Sequence, residues 1–147
     1  MKTEKKPLVI LMADDDADDR MLTEEALIES RVLNELHFVK NGVELLDYLN
    51  GRNGFSGRER HPLPGLILLD LNMPLMDGHE ALENIKKDPL LKRIPVVILT
   101  TSKIEEDMLK GYDLGAASYI TKPVTFDVLV DLMRALGKYW VEFVELP

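Results

Sequence analysis

The sequence contains no cysteine, and this absence excludes several classes of protein at once. A chain without thiols has no disulfide scaffold, no thiol nucleophile and no sulfur ligands for zinc or an iron–sulfur cluster. Because disulfides are rare in reducing compartments, a chain without cysteine is compatible with the cytoplasm, which is the localisation that we expect.

Long hydrophobic runs are also missing. The first apolar run, Leu8–Ala13, is short, whereas a helix needs about 20 apolar residues to cross a membrane. Lys5 and Lys6 precede this run as they would in a signal peptide, but aspartates follow it where a cleavage site would need small residues. We therefore expect no membrane partner and a mature chain that begins near residue 1.

Positive charge is scarce relative to negative charge. The 147 residues include 18 Lys and Arg against 26 Asp and Glu, so the formal net charge is −8 at pH 7. Nucleic acids and anionic membranes bind basic faces, and we expect neither as the main partner. Hydrophobic residues nevertheless make up 46% of the chain, which is enough for the core of one domain.

Short apolar runs alternate with longer amphipathic stretches along the chain. The runs predict strands at Leu8–Ala13, Leu36–Lys40, Leu66–Leu71, Val96–Thr100 and Ala117–Thr121. The stretches predict helices at Asp18–Arg31, Val43–Leu49, Gly78–Lys87, Ile104–Leu114 and Phe126–Leu136. Fully apolar strands that alternate with helices are typical of a parallel sheet covered on both faces. The sequence thus predicts an α/β fold with a doubly wound (βα)5 parallel sheet.

Two segments fall outside this alternation. Asn50–Pro64 is rich in glycine, proline and arginine and predicts a long loop that is either mobile or functional. We expect residues 1–137 to form one domain and residues 138–147 to be an apolar C-terminal extension of the same domain. Two interpretations of the extension remain open, since it either packs on its own domain or offers a surface for self-association or a partner.

Acidic, hydroxyl and basic side chains stand at the carboxyl ends of four predicted strands. They are Asp14, Asp15 and Asp16 after the first strand, Asp70 in the third, Thr100, Thr101 and Ser102 at the end of the fourth, and Lys122 after the fifth. Strand ends meet at one edge of a parallel sheet, where α/β folds bind ligands. Clustered carboxylates repel one another unless a cation neutralises them. A hard divalent ion suits such oxygen ligands, so we predict a Mg²⁺ site held by Asp14 and Asp15.

Phosphoryl transfer to a carboxylate is the chemistry that fits this group of side chains. Aspartate can form an aspartyl phosphate, and the remaining task is positioning and charge neutralisation. We predict Asp70 as the nucleophile, Lys122 as a partner of Asp70 or of a phosphoryl oxygen, and Thr100 as a hydrogen-bond donor to that oxygen. Taken singly, each residue has a plainer interpretation, and Asp16 and Asp18 are expected in the cap or first turn of a helix. Their coincidence at four strand ends favours a site.

The segments around these residues resemble the receiver domain of two-component response regulators. The resemblance covers about residues 8–136 and rests on Asp14-Asp15, on Leu66–Pro74 with the Met-Asp-Gly that follows, on Val96–Thr100 and on Tyr119–Pro123. It implies a flavodoxin-like fold with strand order 2-1-3-4-5. It also implies that a histidine kinase phosphorylates Asp70 in a Mg²⁺-dependent reaction.

The resemblance also implies roles for individual residues. The residues that would hold Mg²⁺ are Asp14, Asp15, Asp70 and, through its backbone carbonyl, Asn72. Lys122 and Thr100 would contact the phosphoryl group, and Thr100 and Tyr119 would form a switch pair in which the hydroxyl moves to the phosphate and the ring turns inward. Asn72 and Ser102 sit where the family tunes the lifetime of the phosphoryl group. A receiver domain catalyses only its own phosphorylation and dephosphorylation, so we expect no enzyme that acts on a separate substrate.

A narrower similarity connects the chain with small stand-alone regulators paired with cyanobacterial-type phytochrome kinases. It rests on the long insert before the third strand, on Lys92–Ser102 and on Tyr139–Pro147. It implies a phytochrome-type kinase as partner and a homodimer formed by the fourth helix, fifth strand and fifth helix, with help from the extension. Phosphorylation would switch this face for dimerisation or for binding a downstream protein.

Two other functions share part of this pattern. A Mg²⁺-dependent phosphatase with an aspartyl nucleophile uses a second acid two residues after the nucleophile, where this chain has Asn72. A flavodoxin-like flavin carrier needs a hydroxyl- and glycine-rich phosphate loop after the first strand, where this chain has aspartates. The phosphoacceptor function fits the residues better than either alternative.

Overall fold

The structure is a computed structural model that describes residues 7–31, 34–100, 102–111, 115–122 and 125–139. Strands and helices alternate along these residues. The elements are β1 (Leu8–Ala13), α1 (Ala17–Ser30), β2 (Asn34–Val39), α2 (Gly42–Asn50), β3 (Leu66–Asp70), α3 (Gly78–Lys87), β4 (Val96–Thr100), α4 (Lys103–Gly111), β5 (Ser118–Thr121) and α5 (Phe126–Tyr139). A 3₁₀ turn at Leu91–Arg93, which the sequence patterns did not predict, precedes β4. None of the helices in the described ranges has the combination of length and apolar composition that a membrane span requires.

The five strands form one parallel sheet in the order β2-β1-β3-β4-β5. This arrangement confirms the predicted doubly wound, flavodoxin-like α/β fold. α1 packs against α5, and α2 packs against α3. The direction in which the chain crosses the sheet reverses at the β1–β3 pair, and folds of this type bind their ligands beyond the carboxyl ends of the strands at that position.

Alternate residues of the central strands enter two separate hydrophobic layers. Leu11 of β1 packs with residues of α2 and α3, among them Leu45. The next residue, Met12, packs with Leu27 of α1 and Met133 of α5. Successive side chains of a strand point to opposite faces, and a sheet covered by helices on both sides buries both sets. This burial explains why β1 is a continuous apolar run.

Capping interactions set the start of α1. The carboxylate of Asp16 accepts hydrogen bonds from the backbone N–H groups of Asp18 at 2.8 Å and Asp19 at 3.2 Å, which satisfies two of the free donors of the first turn. The helix therefore begins at Ala17, one position before its predicted start, and the expected capping role of Asp16 is confirmed. Other helix and strand ends also differ from the prediction by a few residues, as is usual for such boundaries.

The last helix crosses the predicted border between the domain and its C-terminal extension. α5 runs from Phe126 to Tyr139, so the start of the segment 138–147 continues a helix rather than beginning a separate tail. Residues 140–147 lie outside the described residues. The two interpretations of this extension therefore stay predictions.

The insert between α2 and β3 is a loop, as predicted, and it is anchored to the end of α2. The guanidinium of Arg58 donates hydrogen bonds to the backbone carbonyls of Leu49 at 2.7 Å and Tyr48 at 3.1 Å, which lie in the last turn of the helix, where carbonyls lack helical partners. The Tyr48 hydroxyl donates to the carbonyl of Pro62 at 2.9 Å. The rings of Phe55 and Tyr48 lie 5.5 Å apart. These contacts hold the loop against α2 near the amino end of β3.

Replacing Arg58 with alanine is expected to lower the free energy of unfolding by about 1–2 kcal/mol, since charge-assisted hydrogen bonds to the helix end are lost. The change is measured by urea denaturation. Arg60→Ala is the matched control, because Arg60 lies in the same loop, is exposed and carries the same charge. Equal stability of the two variants would contradict the anchoring role of Arg58.

Candidate functional site

Three carboxylates converge at the carboxyl edge of the sheet. Asp14 and Asp15 follow β1, and Asp70 is the last residue of β3. One oxygen from each of these carboxylates lies within 4.8 Å of the others. Asp14 is 0% and Asp70 3% exposed, whereas Asp15 is exposed to solvent. The structure therefore brings together the three aspartates that the strand ends predicted.

Backbone hydrogen bonds fix the two buried carboxylates. Asp14 accepts the N–H of Asp16 at 2.9 Å, and Asp70 accepts the N–H of Asn72 at 3.2 Å. Both are bonds to the residue two positions on, a turn that aspartate side chains favour. The guanidinium of Arg20 also donates to the carbonyl of Asp14 at 2.8 Å. The chain therefore leaves each strand in a defined turn, with its carboxylate held in place.

The buried carboxyl groups of Asp14 and Asp70 need a positive charge nearby if both are to be ionised. Burial raises the pKa of Asp14 to about 7, helped by the charge of Asp70 and opposed by the hydrogen bond from Asp16 and the charge of Lys122. Burial also raises the pKa of Asp70, against the effect of Lys122. Buried carboxylates this close to one another ionise together only when a cation offsets their repulsion. The donor set, three carboxylate oxygens partly open to solvent, suits a hard divalent cation.

Lys122 brings one positive charge to this edge of the sheet. Its Nζ lies 3.4 Å from Asp70 Oδ2, 3.2 Å from Asp14 Oδ2 and 2.6 Å from the Oδ2 of a fourth acid, Asp19. Although burial acts to lower it, the pKa of the Lys122 amine is raised by the hydrogen bond to Asp19 and by the charges of Asp14 and Asp70. The amine is therefore a permanent ammonium, as its predicted role requires.

Asp19 is a site residue that the sequence pattern did not predict. The acids that follow the strand end, Asp16 and Asp18 among them, were expected only at the start of a helix. The distinguishing signal is helical phase, because the cap at Asp16 fixes which side each residue of the first turn occupies. In this phase Asp19 contacts Lys122, while Asp18 is exposed.

Thr100 and Tyr119 lie on the same face of the sheet. Thr100 ends β4 opposite Thr121, and Tyr119 stands two residues before Thr121 in β5. The hydroxyl of Thr100 is buried and lies 3.4 Å from the Ile120 carbonyl and from the Thr121 hydroxyl. In the described part of the chain, its hydrogen bonds go to β5 and to the Ser102 carbonyl rather than to Asp70. The half-buried Tyr119 packs against the layer formed with α2 and α3.

The remaining predicted residues have definite positions. Asn72 is exposed at the rim of the site, where its N–H bonds Asp70. The hydroxyl of Ser102 accepts the N–H of Glu105 at 3.1 Å and so caps α4. Thr101 lies outside the described residues.

Gly78 allows α3 to begin directly against the strand that carries Asp70. A Cβ at this position would lie 2.5 Å from the Asp70 carbonyl oxygen and 2.8 Å from the Leu71 Cα, closer than real contacts permit. The N–H of Gly78 donates to the Leu71 carbonyl at 3.0 Å. The start of α3 is therefore in direct backbone contact with the end of the strand that carries Asp70.

Comparison with known proteins identifies the family. The sequence profile of the response regulator receiver domain matches residues 10–134. The chain belongs to this family. The receiver domain is homologous to phosphoacceptor response regulators, which confirms the resemblance found in its sequence, and such a domain has a histidine kinase as its partner.

Relatives of the receiver domain include stand-alone phytochrome regulators. It is 40% identical to the response regulator Rcp1 of Synechocystis sp. over 141 residues, which are 96% of this chain and 94% of Rcp1. The crystal structure of the phosphorylated cyanobacterial phytochrome response regulator RcpA has a TM-score of 0.79 at 39% identity and covers 97% of this chain and 99% of that one. The Mn²⁺-bound form of Rcp1 has a TM-score of 0.77 at 40% identity, with 96% and 99% covered.

Proposed function

We propose that the receiver domain accepts a phosphoryl group on Asp70 from a histidine kinase and that Mg²⁺ is its cofactor. One observation carries this proposal: the buried carboxylate of Asp70 lies close both to the carboxylates of Asp14 and Asp15 and to the ammonium of Lys122. A nucleophile next to a metal site and a fixed cation is equipped for phosphoryl transfer.

The transfer exchanges one bond to phosphorus for another. A carboxylate oxygen of Asp70 attacks the phosphorus of the kinase phosphohistidine, the P–O bond forms, and the P–N bond breaks with its electron pair leaving on the imidazole. Mg²⁺ held by Asp14, Asp15, Asp70 and the carbonyl of Asn72 would supply positive charge against the phosphoryl oxygens. Lys122 donates a hydrogen bond to a phosphoryl oxygen.

Thr100 and Tyr119 are proposed to convert phosphorylation into a change of surface. The hydrogen bonds of the Thr100 hydroxyl to β5 are long, at 3.4 Å, and therefore weak. A phosphoryl oxygen on Asp70 is a stronger acceptor, so the hydroxyl moves toward it. The half-buried ring of Tyr119 then turns into the space that opens on the same face. Asn72 and Ser102, at the rim, are proposed to tune the lifetime of the phosphoryl group.

Incubation with acetyl phosphate and MgCl2 tests this function. We expect mass spectrometry to show one phosphoryl group per chain, carried by Asp70, and no labelling when EDTA removes divalent ions. Repeated turnover of phosphomonoesters would instead support the alternative of a Mg²⁺-dependent phosphatase. A spectral change on addition of FMN would support a flavodoxin-like carrier.

A phytochrome-type histidine kinase is the partner that the relatives favour. RcpA is described as a phytochrome response regulator, and this chain matches it over almost its whole length. Phosphotransfer from a panel of purified kinases tests the assignment, with fastest transfer expected from phytochrome kinases. Equal transfer from unrelated kinases would contradict it.

The α4–β5–α5 face is proposed to form a homodimer and to bind a downstream protein. Large apolar side chains are exposed there, with Ile104 75%, Met108 59% and Val128 50% accessible, and exposed apolar groups are typical of interaction surfaces. Removal of residues 140–147, which leaves α5 intact, is expected to weaken self-association in sedimentation experiments. An unchanged dimerisation constant would exclude the extension from the interface.

A further inference from the structure

The ammonium of Lys122 makes its shortest contact with a residue outside the strand-end cluster. Asp19 lies in the first turn of α1, and its Oδ2 accepts a hydrogen bond from Lys122 Nζ at 2.6 Å. The side chains of Asp19 and Lys122 are 34% and 21% exposed, so the pair is partly shielded from water. Contacts of this kind are stronger than ion pairs in full solvent.

The contact to the nucleophile is longer than the contact to Asp19. Lys122 Nζ lies 3.4 Å from Asp70 Oδ2, whereas charge-assisted N–H···O bonds are about 2.7–2.9 Å long. The ammonium of Lys122 therefore lies next to Asp70 without forming a short hydrogen bond to it. An ammonium has three N–H donors, so Lys122 can bond Asp19 and Asp14 and still direct one N–H toward a group added to Asp70.

We propose that Asp19 is a positioning residue, which holds the Lys122 ammonium beside Asp70 where a phosphoryl oxygen will lie. The proposal rests on the proposed function of Asp70. Lysine has a long, flexible stem, and among the described residues the carboxylates that remain within ion-pair distance of its Nζ without Asp19 are those of Asp14 and Asp70. The ammonium would then form a short ion pair with Asp70. That ion pair would neutralise the attacking oxygen and block the approach of the phosphorus atom.

Asp18 provides a matched control for this role. It is the neighbouring acid in the same turn of α1, it is exposed, and its backbone N–H is bonded by Asp16 just as that of Asp19 is. Asp18→Asn and Asp19→Asn therefore remove the same charge from the same turn. Only Asp19→Asn removes a carboxylate charge that contacts the Lys122 ammonium, which weakens that contact to a hydrogen bond with a neutral oxygen.

Rates of Asp70 phosphorylation by acetyl phosphate at saturating MgCl2 test the proposal. Misplacement of a catalytic group by about 1 Å can slow a reaction by about a hundredfold. For the smaller shift of Lys122 we expect a loss of about tenfold in Asp19→Asn and no such loss in Asp18→Asn. Equal rates in the two variants would overturn the positioning role.

Urea denaturation in EDTA tests whether Asp19 acts through Lys122. In a double-mutant cycle, Asp19→Asn is expected to lower the free energy of unfolding when Lys122 is present and to leave it unchanged in a Lys122→Ala background. Asp18→Asn is expected to change the free energy of unfolding by the same amount in both backgrounds. A slow Asp19→Asn variant without this coupling would also overturn the proposal. Failure of the wild type to accept a phosphoryl group would instead count against the function proposed for Asp70, because the coupling is measured without phosphorylation.

Discussion

Substitution of Asp70 by asparagine is expected to abolish phosphorylation by acetyl phosphate. Asparagine has nearly the same shape, and its side-chain oxygen can still accept the N–H of Asn72, so the turn after β3 is preserved. The amide has no negative charge and is not a nucleophile toward phosphorus. Phosphate incorporation measured by mass spectrometry is therefore expected to fall to background in a folded protein.

Asp77→Asn is the control for the Asp70 variant. Asp77 lies a few residues further along the same loop and caps α3 by accepting the N–H of Glu80 at 2.9 Å, a role that asparagine fills equally well. This variant loses the same charge near the site and is expected to be labelled like the wild type. Labelling of the Asp70→Asn variant with one phosphoryl group would show that another side chain is the acceptor.

Substitution of Asp14 by asparagine is expected to stabilise the metal-free fold near pH 8. The buried carboxylate of Asp14 has its pKa raised to about 7, so at pH 8 it is held ionised beside Asp70 at a cost in free energy. Asparagine removes this charge and can keep the hydrogen bond from Asp16. We expect a gain of about 2 kcal/mol in urea denaturation in EDTA, less than the full pKa shift would give, because the amide N–H groups of the buried asparagine must themselves find acceptors.

The pH dependence of the free energy of unfolding is expected to differ between the wild type and the Asp14→Asn variant. Because the pKa of Asp14 is higher in the folded state than the 3.8 of an ordinary aspartate, the folded chain binds the proton more tightly than the unfolded chain. The stability that this proton provides is present at low pH and is lost as the pH rises through 7. Wild-type stability relative to Asp14→Asn is therefore expected to increase from about pH 8 to about pH 5, and parallel curves would contradict the shift.

Divalent ions are expected to make the wild type more stable than the Asp14→Asn variant, the reverse of their order in EDTA. MgCl2 is expected to bind the folded site and not the unfolded chain, and thereby to stabilise the wild type by mass action. Asp14→Asn lacks one of the three carboxylates and is expected to gain much less. Equal stabilisation of both proteins by MgCl2 would exclude Asp14 from the metal site.

The fold and the centre of the site were predictable because both depend on a simple property of parallel sheets. Strands that bury both faces are continuous apolar runs, so β1, β3 and β4 are visible in the sequence. The carboxyl ends of these strands and of β5 share one edge, which places Asp14, Asp70 and Lys122 together whatever the detailed packing of the helices.

Features that depend on the packing of side chains between elements were not predictable in the same way. The contact of Asp19 with Lys122 requires the phase of α1, which is set by the cap at Asp16 rather than by the apolar pattern. The anchoring of the insert by Arg58 requires a contact between a loop without periodicity and the end of a helix. The continuation of α5 to Tyr139 runs through Gly137, whereas a glycine usually marks a helix end, and the predicted end at Leu136 lies directly before it.

The absence of a side chain at Gly78 has a mechanical consequence. Backbone meets backbone where α3 starts against the strand that carries Asp70, and no flexible side chain lies between them to cushion a displacement. A substituent on Asp70 that displaces this backbone is therefore expected to displace the start of α3 as well. A spectroscopic label on the outer surface of that helix is expected to report such a change.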